Sequence, residues 1–140
     1  MLKVFIDATG WSAILDQSHP QNTIARDYYQ QLLDKHARIY SNIIEINEAI
    51  NAIRKKCGLT IATEFSKLID EAMLSSSIHV SWHTRRMRRA ALKQFFTIKY
   101  DTIEVRHCQI FEEVRKKKIN IIFSFDPVLT KFGIPLMPQG

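Results

Sequence analysis

Cysteine, glycine and proline are scarce in this sequence. Its 140 residues include two cysteines, four glycines and four prolines. Cys57 and Cys108 stand far apart with no Cys-x-x-Cys spacing, which excludes a disulfide framework and a zinc knuckle and favours a reducing compartment. The glycines and prolines sit mostly at breaks between patterned segments, so we expect neither a flexible linker nor a low-complexity tract.

Long apolar runs are also missing. No segment approaches the ~20 apolar residues that span a bilayer. The apolar start, Met1–Ile6, stops at Asp7 and is shorter than the core of a signal peptide. We therefore expect a soluble, cytoplasmic protein with no membrane partner.

The composition is that of a globular domain with an excess of basic residues. With 46% hydrophobic residues, a single domain covering residues 1–140 can bury roughly two-thirds of its unfolded surface. Lysine and arginine number 20 against 14 aspartates and glutamates, which gives a net charge of +6. This excess suits a polyanionic partner, although charge alone does not establish one.

Strand and helix patterns alternate along the chain. The predicted strands are Leu2–Ile6, Arg38–Ser41, Ile78–Val80, Asn120–Phe125 and a short edge strand at Ile134–Leu136. The predicted helices are Ile24–Leu33, a stripe from Ile46 to Ile53 that stops near Gly58, Phe65–Met73, Thr84–Phe96 and a stripe from His107 to Val114. This alternation predicts an α/β fold, a three-layer α/β/α sandwich around a central parallel sheet.

Acidic side chains, and one histidine, recur where the predicted strands end. These positions are Asp7, Glu45 and Glu48, then Glu104 and His107 after Asp101, and Asp126. Parallel strands bind ligands outside their carboxyl ends, and carboxylates gathered there need a cation such as Mg²⁺ or Mn²⁺ between them. Such an ion assists phosphodiester hydrolysis. The competing interpretation is that each acid is a turn former or helix N-cap, which Asp126 before Pro127 fits especially well.

Three blocks of the sequence resemble the PIN domain family. The first block is Phe5–Leu15, in which a strand delivers Asp7, followed by His19-Pro20 and Ala25. The second is Ser41–Ile44, then Glu48-Ala49-Ile50 and Arg54–Gly58. The closing block is Phe123–Asp126, then Gly133-Ile134 and Pro138. The resemblance spans nearly the whole chain and implies the PIN-like version of the sandwich.

Two positions in these blocks leave alternatives open. Counting back from Gly58 favours Glu48 as the family's second acid, and Glu45 is the fallback. Aligning the third block on Cys108–Phe111 puts His107 where an aspartate is expected and Glu104 where serine or threonine is usual. Imidazole suits Mn²⁺ better than Mg²⁺, so His107 is either a ligand with altered metal preference or a histidine satisfied by a backbone partner.

The resemblance implies a metal-dependent endoribonuclease, the toxin half of a toxin–antitoxin pair of the virulence-associated protein C type. On this hypothesis Asp7, Glu48 and Asp126 are catalytic and hold Mg²⁺ or Mn²⁺. Glu104 or His107 completes the metal site, and Thr9 supports Asp7. RNA is the substrate, an antitoxin is the partner, and a homodimer is expected. The alternative is a catalytically lapsed module that binds RNA or protein. A phosphoacceptor receiver domain is disfavoured because Asp7 has no acidic neighbour.

A basic helix supplies a second candidate surface. Its cations are Arg85, Arg86, Arg88, Arg89 and Lys93, of which Arg85, Arg89 and Lys93 recur every four residues as one ridge. Such a ridge suits RNA phosphates, or it is a solvated face. Trp82 and His83 precede it and could offer a stacking face. Tryptophan at such a position more often lies in the core, and we expect Trp82 to be buried there. The Arg115–Lys118 run is explained by helix capping.

Overall fold

A five-stranded parallel sheet forms the middle layer of the structure, which is a computed structural model that describes residues 1–139. The strands are β1 (Lys3–Ile6), β2 (Arg38–Asn42), β3 (Ile78–Ser81), β4 (Ile121–Phe123) and β5 (Leu136–Met137). The helices described are α1 (Ala8–Leu15), α2 (Asn22–Asp34), α3 (Ile43–Cys57), α4 (Leu59–Leu74), α5 (Arg85–Phe95), α6 (Val105–Lys117) and a 3-10 helix (Pro127–Phe132). No helix formed by these residues is long and apolar enough to span a membrane.

The strand order is β3-β2-β1-β4-β5, and every neighbouring pair is parallel. The predicted α/β/α sandwich with a central parallel sheet is therefore confirmed. Strand β4 is shorter than the predicted run Asn120–Phe125, because the chain leaves the sheet at Ser124 to turn into the 3-10 helix. Helix α3 ends next to Gly58, as predicted, and Gly58 has a left-handed φ of 94°.

Alternate side chains of β1 enter two different cores. Val4 and Ile6 pack with residues of α1 to α4 on one face of the sheet. Phe5 packs on the other face against α6, in a core that includes Ile110 and Val114. Because both faces of the strand are covered, β1 reads in the sequence as a continuous apolar run.

Polar residues that follow the strands cap the next helices. Asp7 Oδ1 accepts from the Gly10 N–H at 2.8 Å at the start of α1, and Asn42 Oδ1 accepts from Glu45 N–H at 2.8 Å at the start of α3. Asp126 Oδ1 accepts from the Val128 N–H at 3.1 Å. The capping interpretation of Asp7 and Asp126 is thus correct, and it leaves the Oδ2 atom of each aspartate for other partners.

The expectation that Trp82 lies in the core is wrong, because its side chain is 71% exposed. The next residue, His83, takes the inner position instead, with its ring against Glu113 of α6. His83 has a left-handed φ of 59°. This turn of the backbone is not visible in the apolar pattern of the sequence.

Gly10 is the point of closest approach between α1 and β4. A Cβ atom at this position would stand 2.6 Å from the Phe123 carbonyl oxygen and 2.9 Å from Ile6 Cγ2. We predict that Gly10→Ala lowers the free energy of unfolding by about 1–3 kcal/mol, although alanine in a helix is usually favoured by about 1 kcal/mol. Urea unfolding of both proteins measures the difference.

Gly58→Ala provides the comparison, since no atom lies within 4 Å of a Cβ built there. Its cost comes from the left-handed backbone alone, about 1–2 kcal/mol. A Gly10→Ala protein as stable as the unchanged protein would contradict the close contact.

Candidate active site

The candidate site lies at the carboxyl edge of the sheet, where β1, β2 and β4 end. Asp7 follows β1, Glu45 stands in the first turn of α3 after β2, and Asp126 caps the 3-10 helix after β4. The first turn of α6 adds Arg106 and His107. Parallel strands bring these five side chains, which come from four separate segments of the sequence, to one edge.

Asp7 is fully buried and is held by hydrogen bonds to both carboxylate oxygens. Thr9 Oγ1 donates to Oδ1 at 2.7 Å, and Ser124 Oγ donates to Oδ2 at 2.6 Å. Burial raises the pKa of Asp7, and the hydrogen bonds from Ser124, Thr9 and Gly10 offset this only in part. Thr9 therefore has the predicted place beside Asp7, whereas Ser124 was not anticipated.

Glu45 is also fully buried, with one satisfied and one unsatisfied oxygen. Its Oε1 accepts from the Ala8 N–H at 3.0 Å and from Arg106 Nη1 at 3.3 Å. Its Oε2 is buried and has no hydrogen-bond partner among residues 1–139. Burial, and then the charge of Asp7, raise the pKa of Glu45 to about 7.

Glu48 lies one helical turn beyond Glu45 and is exposed. It contributes to the wall of an open cleft of about 330 Å³ next to the site. The cleft is lined by Ala8, Thr9, Ser12, His19, Glu48, Ala52 and Arg106. The structure therefore brings the fallback residue Glu45 into contact with the network around Asp7, and it places the preferred residue Glu48 in the wall of the cleft beside it.

Asp126 is ionised more readily than a free aspartate. Its Oδ2 atom is 2.7 Å from His107 Nε2 and 2.9 Å from Arg106 Nη2. The hydrogen bond from His107 is the largest cause of a pKa that is lowered to about 2, and the charge of Arg106 adds to it. Asp126 thus remains a carboxylate at any pH near neutrality.

His107 is buried, and its hydrogen bonds define its tautomer. Nδ1 accepts from the Glu104 backbone N–H at 2.9 Å, so the proton of the neutral ring sits on Nε2 and is donated to Asp126. The backbone-partner interpretation of His107 therefore matches the structure. With both nitrogens engaged, His107 has no lone pair free for a metal ion in this arrangement.

Arg106 is the functional residue that the sequence reasoning missed. Its guanidinium pairs with Glu45, with Asp126 and, through Nε at 2.9 Å, with Glu104 Oε1. The Glu104 side chain is 61% exposed and forms the outer edge of this group. A cation in the first turn of a helix at the carboxyl edge is the only signal of this role in the sequence, and it is weak because such cations are common on helix surfaces.

The donor set fits a hard divalent cation only in part. Among residues 1–139, no three His, Cys, Asp or Glu side chains are grouped closely enough to hold a metal ion between them. Oxygen donors are nevertheless present, and the buried Glu45 Oε2 lacks the partner that a second cation would provide. In this arrangement Arg106 supplies the positive charge that the carboxylates require.

The basic residues of α5 form a separate exposed surface. Met87 and Ala91 face inward, while Arg85, Arg86, Arg88, Arg89 and Lys93 are all exposed. No acidic residue lies in the first turn of α5, where cations oppose the helix dipole. The surface is thus a strongly positive one, as the sequence predicts.

Comparison with known proteins yields structural relatives only. No protein-family model matches the sequence, and no curated protein matches it. The structure is similar to the crystal structure of Mycobacterium tuberculosis VapC20, a Sarcin-Ricin loop cleaving toxin, with a TM-score of 0.80 and 17% identity over 94% of this chain and 95% of that chain. It is also similar to PAE2754 from Pyrobaculum aerophilum, with a TM-score of 0.59 and 17% identity over 96% and 89%. The chain has the PIN-like α/β fold of VapC20.

The buried carboxyl group of Glu45 makes stability depend on pH. Because its folded pKa of about 7 exceeds the ordinary value of 4.5, ionisation above pH 4.5 favours the unfolded chain until the folded pKa is passed. We predict that the free energy of unfolding of Glu45→Gln, relative to that of the unchanged protein, increases by about 2–3 kcal/mol as the pH rises from 5 to 8.

Urea unfolding at both pH values, without divalent ions, tests this, and Glu48→Gln on the same helix is the control. Glu48 is exposed, so its substitution should give the same difference at pH 5 and pH 8. If the stability difference between Glu45→Gln and the unchanged protein is also the same at pH 5 and pH 8, the raised pKa of the buried Glu45 carboxyl group is contradicted.

Proposed function

We propose that this protein is a metal-dependent endoribonuclease that hydrolyses RNA phosphodiester bonds, and that it acts as the toxin of a toxin–antitoxin pair. The proposal rests mainly on one observation: Glu45 and Asp126 both form ion pairs with Arg106, and Glu45 is within electrostatic range of the buried Asp7. These acids come from three strand ends of a PIN-like fold. Its structural neighbour VapC20 is a Sarcin-Ricin loop cleaving toxin.

The residues that would hold Mg²⁺ or Mn²⁺ are Asp7, Glu45 and Asp126, with Glu104 at the exposed edge, and the ion would have to displace Arg106 from Glu45 and Asp126. Glu45 replaces Glu48 in this set because its Oε2 is buried without a partner and its carboxyl group is within electrostatic range of Asp7, whereas Glu48 is exposed. The bound ion would supply Lewis-acid activation of water and neutralisation of phosphodiester charge. His107 is better assigned to holding Asp126 than to the metal, since its nitrogens are engaged.

The other side chains of the site orient the acids. Thr9 and Ser124 fix the two oxygens of Asp7, and Ser124 Oγ also accepts from the Asp126 N–H at 2.9 Å. This hydroxyl couples the positions of two of the acids. Arg106, at the wall of the cleft, presents a guanidinium that suits a phosphodiester oxygen.

The basic surface of α5 supports RNA as the substrate. Its arginines and lysine are exposed and are not neutralised by acids in the first helical turn. Each phosphate that they neutralise adds close to one unit to the salt dependence of binding. The resemblance of the sequence to PIN toxins supports the remaining parts of the proposal, which are an antitoxin partner, a homodimer and a cytoplasmic location.

A catalytically lapsed binding module is the second candidate, and Arg106 is the observation that favours it. A guanidinium that already pairs with Glu45 and Asp126 provides the charge balance for which a metal would otherwise be needed. On this alternative the cleft and α5 bind RNA or protein without cleaving it.

RNA cleavage by the purified full chain tests the proposal. The unchanged protein should cleave a structured RNA with Mn²⁺ or Mg²⁺, and Asp7→Asn, Asp126→Asn and Glu45→Gln should each lose about 100-fold or more, beyond the 10–100-fold typical of side chains that only support a ligand. Glu48→Gln should lose less than Glu45→Gln. The readout is the rate of product formation on a gel.

Glu64→Gln, an exposed glutamate on α4, is the control for the loss of one carboxylate. Folded protein that cleaves nothing with either ion would favour the lapsed module. Unchanged cleavage by Asp7→Asn would point to a contaminant or another site. A larger loss for Glu48→Gln than for Glu45→Gln would restore Glu48 as the metal ligand.

Arg106 and a divalent ion should compete for the same carboxylates. Without metal, we predict that Arg106→Gln lowers the free energy of unfolding by roughly 1–3 kcal/mol, because Glu45 loses its cation. Mn²⁺ should then raise the melting temperature of Arg106→Gln more than that of the unchanged protein.

A melting curve over a Mn²⁺ titration measures this, and Arg115→Gln on the same helix is the control. Arg115 is exposed, and among residues 1–139 its one ion pair is with Glu112, at 2.8 Å. Equal Mn²⁺ responses of all three proteins would contradict the competition.

A further inference from the structure

Trp82 stands at the same edge of the sheet as the candidate active site. Ser81 of β3 pairs in register with Asn42 of β2. Phe5 of β1 pairs with Tyr40, so Asp7 is level with Asn42. With neighbouring strands about 4.8 Å apart, the backbone at Ser81 lies about 10 Å from that at Asp7. Trp82 is the next residue after Ser81, beyond the end of the strand.

The indole of Trp82 is presented to solvent by a fixed backbone. His83 adopts a left-handed conformation, and its side chain is 4% exposed beside Glu113, with Nδ1 3.6 Å from Oε1. The His83 N–H also donates to Ser81 Oγ at 3.1 Å. A left-handed residue other than glycine is unfavourable by itself, so packing on α6 must hold it. Trp82, the residue directly before this anchored turn, is 71% exposed.

Positive charge begins immediately beyond this tryptophan. Thr84 caps α5 by accepting from the Met87 N–H at 3.2 Å, and Arg85 and Arg86 occupy the first two positions of the helix. The ridge continues to Arg89 and Lys93 along the exposed side. An exposed aromatic ring at the end of a line of cations is the combination that binds single-stranded nucleic acid, because the ring stacks on a base while the cations hold phosphates.

We propose that Trp82 stacks on an unpaired base of the RNA while the ridge of α5 holds the adjoining phosphates. Charge complementarity favours RNA over an apolar protein partner at this surface. The inference rests on the proposed function, and it adds a preference for single-stranded or looped RNA over a continuous duplex, whose bases are already stacked on one another. Trp82 is then a substrate-binding residue placed beside the cleft rather than in it.

The test is binding rather than cleavage, with the full chain carrying Asp7→Asn and with EDTA present. Fluorescence anisotropy measures the Kd for a labelled single-stranded 12-nucleotide RNA and for a blunt duplex of the same sequence. Trp82→Ala should weaken single-strand binding about 5- to 100-fold, and Trp82→Phe should retain most of the affinity. Duplex binding should change little.

Two further variants separate stacking from charge and from general surface loss. Leu74→Ala removes an 87% exposed apolar side chain at the end of α4, before β3 begins, and should leave both Kd values unchanged. Arg89→Gln should weaken both RNAs and reduce the salt slope by about one unit, whereas Trp82→Ala should leave the slope unchanged.

The outcomes distinguish this inference from the function on which it rests. Equal single-strand binding by Trp82→Ala and its Asp7→Asn parent would overturn the stacking role and leave the ribonuclease proposal intact. An equal loss on the duplex would also overturn it, because the tryptophan would then not discriminate unpaired bases. Failure of the parent to bind either RNA would overturn the stacking role, whereas the ribonuclease proposal is decided separately by the cleavage assay with Mn²⁺ or Mg²⁺.

Discussion

Burial of the Asp7 carboxyl group at the end of β1 is the constraint on which the arrangement of the site depends. No cation contacts Asp7 among the described ion pairs, so its oxygens are stabilised by the Gly10 N–H and by two hydroxyl groups. This requires the start of α1, Thr9 and Ser124 to converge at one point. The tight approach of Gly10 to Phe123 is part of the same requirement, because a bulkier residue would move α1 away from β4.

Arg106 and His107 are neighbours in sequence that stabilise Asp126 in different ways. Arg106 contributes a permanent charge that it shares with Glu45 and Glu104. His107 contributes a directed hydrogen bond whose geometry is set by the backbone at the start of α6. Asp126 is therefore ionised and oriented in the absence of any bound ion, whereas the pKa of Glu45 remains raised. The acids of the site thus differ in their readiness to accept another cation.

The sequence predicts the sheet and two of the acids well because their signals are local. A strand buried on both faces must be apolar throughout, and an acid that follows it falls at the carboxyl edge, as Asp7 and Asp126 do. The choice between Glu45 and Glu48 is not local. The two glutamates are one helical turn apart on α3, and burial separates them: Glu45, in the turn capped by Asn42, is fully buried, whereas Glu48 is exposed. The role of Arg106 and the exposure of Trp82 were not predicted for a related reason, since long-range ion pairs and the left-handed turn at His83 have no periodic pattern.

The hydrogen bond between Ser124 and Asp7 joins residues 117 positions apart. During synthesis the ribosome therefore adds 117 further residues after Asp7 before the hydroxyl that holds this acid exists. Pairing of β1 with β4 has the same long-range character, and such contacts form late because they close the largest loop. Under the proposed function, the acids are therefore not organised as a site until the segment that carries Ser124 has been synthesised and has paired with β1.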